Sequence, residues 1–144
     1  RTLTLSTDGR RLIGQDNLIA VTTAQKARFE RLMTEGRLSG VGYALRCHLH
    51  PDADATLDMG GTAVSIALKS GEIWVFRHNS QASLSLEPSV YLQKGRLRPR
   101  PALQIVLSGR AMEIETPLGW TLAKAQDTPL AIRDLDLGDM PVPL

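Results

Sequence analysis

Cysteine, aromatic residues and long apolar runs are all scarce in this 144-residue chain. Its one cysteine, Cys47, excludes an internal disulfide and a cysteine-rich zinc module. No apolar run approaches the roughly 18 residues of a membrane-spanning helix, and the N-terminus lacks the apolar stretch of a signal peptide, so we expect no membrane partner. Aromatic residues make up 4% of the chain, which is low for a module that stacks sugar rings on a sheet.

The charge of the chain is nearly balanced. Seventeen lysines and arginines face 15 aspartates and glutamates, for a net charge of +2. Such a chain lacks the basic field with which proteins hold nucleic acid, and we expect no nucleic-acid partner. The length suits one domain with a real core. Because a strand-like segment begins immediately at Arg1, we expect the chain to be a piece of a longer polypeptide.

Short segments of β-type sequence recur about every ten residues between turn residues, which is typical of a sandwich or barrel. Gly60-Gly61 and Ser70-Gly71 are predicted to form two-residue hairpin turns. The sequence therefore predicts an all-β fold, an antiparallel β-sandwich forming a single domain over residues 1–144. The predicted strands are 2–6, 12–21, 41–50, 55–59, 63–69, 72–77, 83–92, 103–112 and 120–125.

One segment departs from the β pattern. Between residues 22 and 38, apolar residues recur at helical spacing after a candidate cap, Thr22, and before Gly36. We expect a short helix or a mobile insertion there. The last residues, 134–144, are expected to form an irregular end.

The predicted strand 41–50 places two histidines on one face. Alternation sends Cys47 to the apolar face, where we expect it to be buried and unreactive, and sends Arg46, His48 and His50 to the polar face. Two imidazoles about 7 Å apart can reach one metal ion, and the alternative is that both are ordinary polar side chains. A third ligand would come from elsewhere, and the candidates are Asp16, Asp52 and Asp54.

The same segment approximates the metal motif of cupins. Gly42, the pair His48 and His50, Asp54 and Gly60 follow the motif's spacing, with Asp54 where that motif has a glutamate. No second motif with a further histidine follows downstream. A cupin-like metal protein is therefore an alternative hypothesis.

A closer resemblance extends over most of the chain. Arg1–Leu18 resembles the R-x-L-x-L-x-x-D-G-x-x-L-x-G-x-D-x-L stretch of the heparinase II/III-like polysaccharide lyases. Ala44–Pro51 is similar to their R-F-H-L-H-P strand, with Cys47 in place of the aromatic residue, and Gly71–Arg77 is similar to their G-x-x-W-x-F-R. Two further segments fit later strands of the same family, Leu84–Tyr91 and Gln104–Gly109.

The resemblance implies that the chain is the C-terminal β-sandwich of a longer lyase whose α/α toroid precedes residue 1 and is its partner. These lyases cleave anionic, uronic-acid-containing polysaccharides such as glycosaminoglycans by β-elimination: the carboxylate is neutralised, a tyrosine or histidine removes the C5 proton, and the leaving oxygen is protonated. By this resemblance those groups lie in the toroid. We therefore expect no catalytic residue in this chain and no turnover by the chain alone. The resemblance also implies a periplasmic or envelope location, with the cytoplasm as the alternative.

The resemblance also implies a structural zinc ion held by one aspartate and two histidines. Asp16 matches the aspartate, and either His48 or His50 supplies one histidine. The other histidine would precede Arg1, so we expect an incomplete zinc site in this chain. Arg46 is expected to help position an anionic sugar or the partner domain. A stand-alone carbohydrate-binding module is a further alternative.

Overall fold

The computed structural model describes residues 1–125, so the predicted irregular end at 134–144 lies outside the described residues. Within 1–125 the predicted strands and the predicted helix are all present, with shifts at their ends. The strands are β1 Thr2–Leu5, β2 Arg11–Ile19, β3 Val41–His48, β4 Asp54–Asp58, β5 Ala63–Ala67, β6 Ile73–His78, β7 Ser83–Tyr91, β8 Arg100–Ala111 and β9 Glu115–Lys124; the helices are α1 Thr23–Glu35 and a 3₁₀ turn at Met59–Gly61.

The strands form two antiparallel sheets. The larger sheet has six strands in the order β1-β2-β9-β6-β5-β4, and the smaller sheet has three in the order β3-β8-β7. All the strand pairs are antiparallel. The predicted all-β sandwich is thereby confirmed.

The core lies between the inner faces of the two sheets. Val64 and Phe76 of the larger sheet and Ile105 and Leu107 of the smaller sheet are each at most 2% exposed. The rings of Phe76 and Trp120 stack with centroids 5.7 Å apart. Full burial of one such side chain stabilises the fold by roughly 1.5–3 kcal/mol, so this cluster holds the sheets together.

The larger sheet extends beyond the smaller one at both of its edges. Leu3 and Leu5 of β1 pair with inward-facing positions of β2, and Leu57 of β4 pairs with Val64. Directly opposed residues share a face, so these leucines point toward the side of the smaller sheet. They nevertheless remain about half exposed. Three strands are too few to cover six.

Helix α1 is held by hydrogen bonds at its two ends, whereas its length is packed only loosely against the sheets. A capping box begins it: Gln25 N–H donates to Thr22 Oγ1, and Thr22 N–H donates to Gln25 Oε1. At the other end Gly36 N–H donates to the Leu32 carbonyl. No residue of α1 is fully buried, and a groove of about 410 Å³ separates its apolar side from β2 and β3. No helix within residues 1–125 is long and apolar enough to cross a membrane.

Both turns predicted to have two residues, at Gly60-Gly61 and at Ser70-Gly71, are longer than expected. Asp58 pairs with Ala63, so four residues, including Gly60 and Gly61, connect β4 to β5. Leu68 N–H donates to the Glu72 carbonyl, which leaves a three-residue turn in which Gly71 has a φ of 88°. A three-residue hairpin loop needs a left-handed residue at this position, and glycine supplies it.

Two strands begin earlier than predicted, each through a proline. Pro101 of β8 pairs with Val90, but β3 ends opposite Gln104, so the other side of Pro101 is unpaired. Pro117 of β9 likewise pairs with β2 at a position beyond the end of β6. A proline lacks the N–H that a fully paired strand position needs, and it is tolerated where a strand extends past one neighbour.

Candidate functional site

The outer surface of the smaller sheet is polar and is built from alternate residues of its three strands. Side chains of β3 alternate between half-buried and exposed positions, so Arg46 and His48 point outward as predicted. Cys47 points inward but is half-buried rather than buried, and burial raises the pKa of its thiol. We call this outer surface the polar face; it comprises Arg46, His48, His50, Glu87, Ser89, Tyr91 and Gln104.

An ion pair crosses the middle of the polar face. Arg46 Nη1 donates to Glu87 Oε2 at 2.9 Å, and Ser85 Oγ donates to Glu87 Oε1 at 3.0 Å. Arg46 and, to a smaller extent, Ser85 hold the pKa of the Glu87 carboxyl below its usual range. The pair spans β8 and covers Val106, which is 1% exposed although it points outward. Of the five guanidinium N–H groups of Arg46, one is used by a partner within residues 1–125.

His48 and Gln104 lie beside this ion pair. His48 Nδ1 lies 2.7 Å from Ser89 Oγ. Gln104 is opposite His48 on one side and Glu87 on the other, and its Nε2 donates to the Pro88 carbonyl at 3.1 Å. The Oε1 atom of Gln104 is buried and has no hydrogen-bond donor among the described residues. Buried polar atoms are normally paired, so the polar face contains an unsatisfied acceptor.

The far end of the polar face holds its one aromatic residue. The rings of His50 and Tyr91 meet edge to face with centroids 4.9 Å apart. Asp52 N–H donates to His50 Nδ1 at 3.2 Å, which assigns the proton of the neutral ring to Nε2. This end therefore offers one imidazole N–H donor to solvent.

Asp52 joins the two sheets at this end. Its Oδ1 accepts hydrogen bonds from Arg100 Nη2 at 2.7 Å and from Lys69 Nζ at 3.1 Å. Arg100 begins β8, and Lys69 lies in the turn between β5 and β6. Arg100 and then Lys69 lower the pKa of Asp52 to about 2. The carboxylate is therefore ionised at neutral pH and already paired with two cations.

Asp16 lies on the opposite side of the smaller sheet, between the two sheets. It is 8% exposed, and it accepts from Arg1 Nε at 2.7 Å, Arg1 Nη2 at 3.2 Å and Trp120 Nε1 at 2.9 Å. Burial alone would raise the pKa of Asp16, but the hydrogen bonds from Arg1 and Trp120 outweigh it and the pKa is lowered. The indole reaches Asp16 across Gly14, where an added Cβ would lie 2.0 Å from the ring.

The residues predicted to ligate zinc do not converge. Asp16 points between the sheets, whereas His48 and His50 point out of the polar face. No group of three or more histidine, cysteine, aspartate or glutamate residues within 1–125 is arranged to hold a metal ion. The described residues alone therefore do not complete a zinc site. The site with its additional histidine stays a prediction for the longer polypeptide.

Several residues of the polar face were missed by the sequence reasoning. Glu87, Ser89 and Tyr91 lie at alternate positions of β7, so period two already placed them on one side of that strand. What the pattern lacked was the strand order, which brings β7 and β3 to either side of β8. The contact between Asp52 and Arg100 joins residues 48 positions apart and has no local signal.

The comparison with protein families decides the membership of this chain. A family model described as "Heparinase II/III-like, C-terminal" matches residues 1–127. The chain belongs to this family. The predicted resemblance is confirmed, and the heparinase II/III-like assignment is favoured over the cupin-like and carbohydrate-module alternatives. No solved structure matches the chain.

A curated relative gives a second point of comparison for this heparinase II/III-like domain. The FtsZ-localized protein C of Caulobacter vibrioides (strain NA1000 / CB15N) is 33% identical over 116 residues, which is 80% of this chain and 19% of that protein. The chain thus spans about a fifth of the length of this relative.

Proposed function

We propose that this domain supports the catalytic part of a heparinase II/III-like polysaccharide lyase and that its polar face contacts the anionic polysaccharide. Family membership supports the first part, because the matched region is the C-terminal domain of that family. The chemistry of the polar face supports the second part.

Arg46 is the observation on which the polysaccharide contact rests. Its side chain is 45% exposed, and most of its N–H groups have no partner within residues 1–125. A planar guanidinium binds a carboxylate through two parallel hydrogen bonds, which suits a uronic acid. His48 and Gln104, on the same face, offer hydrogen bonds to sugar hydroxyls.

The proposal assigns binding and positioning to this chain, and proton transfer to the toroid of the complete polypeptide. Abstraction of a C5 proton needs a base aligned with the sugar ring. The family resemblance assigns that base to the toroid. We therefore expect that the isolated chain does not cleave uronate polymers.

The test is steady-state kinetics of the complete polypeptide, following the absorbance of the unsaturated product on a panel of uronate polymers. We expect Arg46→Ala to raise KM about tenfold with little change in kcat, the size expected for one lost hydrogen bond to a charged group. Arg11→Ala is the matched control, because Arg11 is an exposed arginine of the larger sheet. Equal KM values for the two variants would refute the polysaccharide contact.

A second candidate function comes from the Caulobacter relative. Its name places that protein with FtsZ, and the similarity covers most of this chain. On this proposal the domain belongs to a protein that associates with FtsZ polymers. Co-pelleting of the complete polypeptide with FtsZ, with and without GTP, tests it. Pelleting that depends on GTP, in a protein inactive on every uronate polymer, would favour this function over the first.

A further inference from the structure

The side chain of Gln104 lies between two bridges that cross β8, the central strand of the smaller sheet. On one side, the ion pair of Arg46 and Glu87 spans β8 from β3 to β7. On the other side, the imidazole of His48 on β3 reaches Ser89 on β7, with 2.7 Å between Nδ1 and Oγ. The register of the three strands places Gln104 between these bridges, so they enclose it from both directions along the strand.

Only half of the Gln104 amide is satisfied by the protein. Its Nε2 donates to the Pro88 carbonyl, whereas its buried Oε1 accepts from no donor among residues 1–125. The contact with Pro88 fixes the orientation of the amide, because the reversed amide would bring two acceptor oxygens together. A buried acceptor without a donor costs free energy, so a molecule that supplies a donor to Oε1 removes this cost.

The groups around Gln104 determine which donor suits it. Glu87 is directly opposite Gln104, and its two carboxylate oxygens accept from Arg46 and Ser85. A neutral hydroxyl donor therefore fits beside this carboxylate, whereas a sulfate ester has only acceptor oxygens and adds a negative charge. Arg46 and Gln104 are diagonal neighbours on adjacent strands, roughly 7–8 Å apart, which one sugar residue can span. The carboxylate and a hydroxyl of one uronic acid thus match the two side chains.

We propose that Gln104 makes the polar face selective for uronic acids that carry a free hydroxyl. The uronate carboxylate binds Arg46, the bridge between His48 and Ser89 opens, and Gln104 Oε1 accepts a hydrogen bond from the hydroxyl. A polymer sulfated at that hydroxyl leaves Oε1 without a donor and places a second negative charge beside Glu87. The inference rests on the proposed polysaccharide contact and deepens it, because it names the polymers that this surface accepts.

Calorimetric binding of the complete polypeptide to alginate, and to the same alginate after chemical O-sulfation, tests the selectivity. Alginate consists of uronic acids only, so its added sulfates lie on uronate hydroxyls. We expect Gln104→Met, which keeps the side-chain length, to weaken binding to alginate roughly five- to tenfold and to leave binding to the sulfated polymer unchanged. Gln15→Met, at an exposed glutamine of β2, is the matched control. An equal loss for both polymers, or no loss for either, would overturn the proposal.

Two further variants separate the selectivity from the polysaccharide contact itself. Arg46→Ala should weaken binding to both polymers by a similar factor, and unchanged binding in this variant would overturn the contact and the selectivity together. A loss in Arg46→Ala without a selective loss in Gln104→Met overturns the selectivity alone. Ser89→Ala removes the bridge and leaves Gln104 in place, so we expect it to bind alginate a few-fold more tightly. Unchanged or weaker binding in Ser89→Ala would contradict the opening of the bridge, even if Gln104→Met does not fold.

Discussion

At the scale of single residues, the Asp16 carboxylate brings Arg1 and Trp120 together, because both side chains donate hydrogen bonds to it. Arg1 and Asp16 both lie in the N-terminal segment that resembles the family, and Trp120 lies 104 residues after Asp16. The carboxylate accepts from both donors in a buried place, where an unpaired charge or indole N–H would be costly. The three residues thereby join β9 to the N-terminal hairpin.

Replacing Asp16 by alanine should destabilise the fold strongly. Asp16→Ala leaves Trp120 Nε1 buried without an acceptor and removes the partner of Arg1, and we expect the free energy of unfolding to fall by about 2–4 kcal/mol. Asp54→Ala, at an exposed aspartate, should change it by less than about 0.5 kcal/mol. Urea denaturation of both variants measures the difference. Equal stability would mean that the buried pair contributes nothing net.

The Asp52 carboxyl should titrate near pH 2. Its pKa is lowered from the ordinary 3.8 to about 2 by Arg100 and Lys69. A lowered folded-state pKa stabilises the protein above the unfolded pKa, so this contribution is lost as the pH falls from about 4 to 2. Carboxyl NMR should show the low pKa, and Arg100→Ala should move it toward 3.8. An unchanged pKa in that variant would contradict the assigned cause.

For single residues, the sequence predicted the direction in which a side chain points better than it predicted the hydrogen-bond partners of that side chain. Alternation along β3 correctly placed Arg46 and His48 outside and Cys47 inside. It did not predict the partners of Asp16, because strand order decides which strand lies beside β2. Asp16 was therefore predicted to be a metal ligand on resemblance, while in the structure its oxygens accept from Arg1 and Trp120.

At the scale of elements, the pairing of β2 with β9 depends on the fit between a glycine of β2 and a tryptophan of β9. Gly14 is directly opposite Trp120, and the indole occupies the space where a side chain would be. We expect Gly14→Ala to lower the free energy of unfolding by about 1–3 kcal/mol through overpacking. Gly42→Ala is the control, because a Cβ there meets no atom within 4 Å. Thermal unfolding compares them, and equal melting temperatures would show that the indole moves freely.

The sequence predicted the presence of the strands within residues 1–125 better than it predicted the residues at which they begin and end. Alternation and turn residues predicted every strand, but β8 and β9 extend further toward their N-termini than expected. A proline in the sequence argues against a strand that is paired on both sides. Pro101 and Pro117 are each paired with a strand on one side only, which the sequence alone does not reveal. Helix α1 was predicted well because its cap, Thr22, is local.

At the scale of the whole molecule, the two sides of the smaller sheet differ in their chemistry. Its inner side supplies Ile105 and Leu107 to the core, and its outer side carries the polar face. If the proposed function is right, substitutions at Arg46 or His48 affect binding and leave the core contacts of the inner side in place. The exposed inward-pointing leucines of β1 lie elsewhere, at the edge of the larger sheet.

The position of β9 also constrains how the chain folds. The final described strand lies between β2 and β6, and Arg11 pairs with Ala123. The hairpin of β1 and β2 is made before the other strands described in this domain, and it joins the sheet through a strand made more than 90 residues later. Closing so large a loop is entropically costly and slow. During translation, β1 and β2 must therefore wait without their main partner until β9 has left the ribosome.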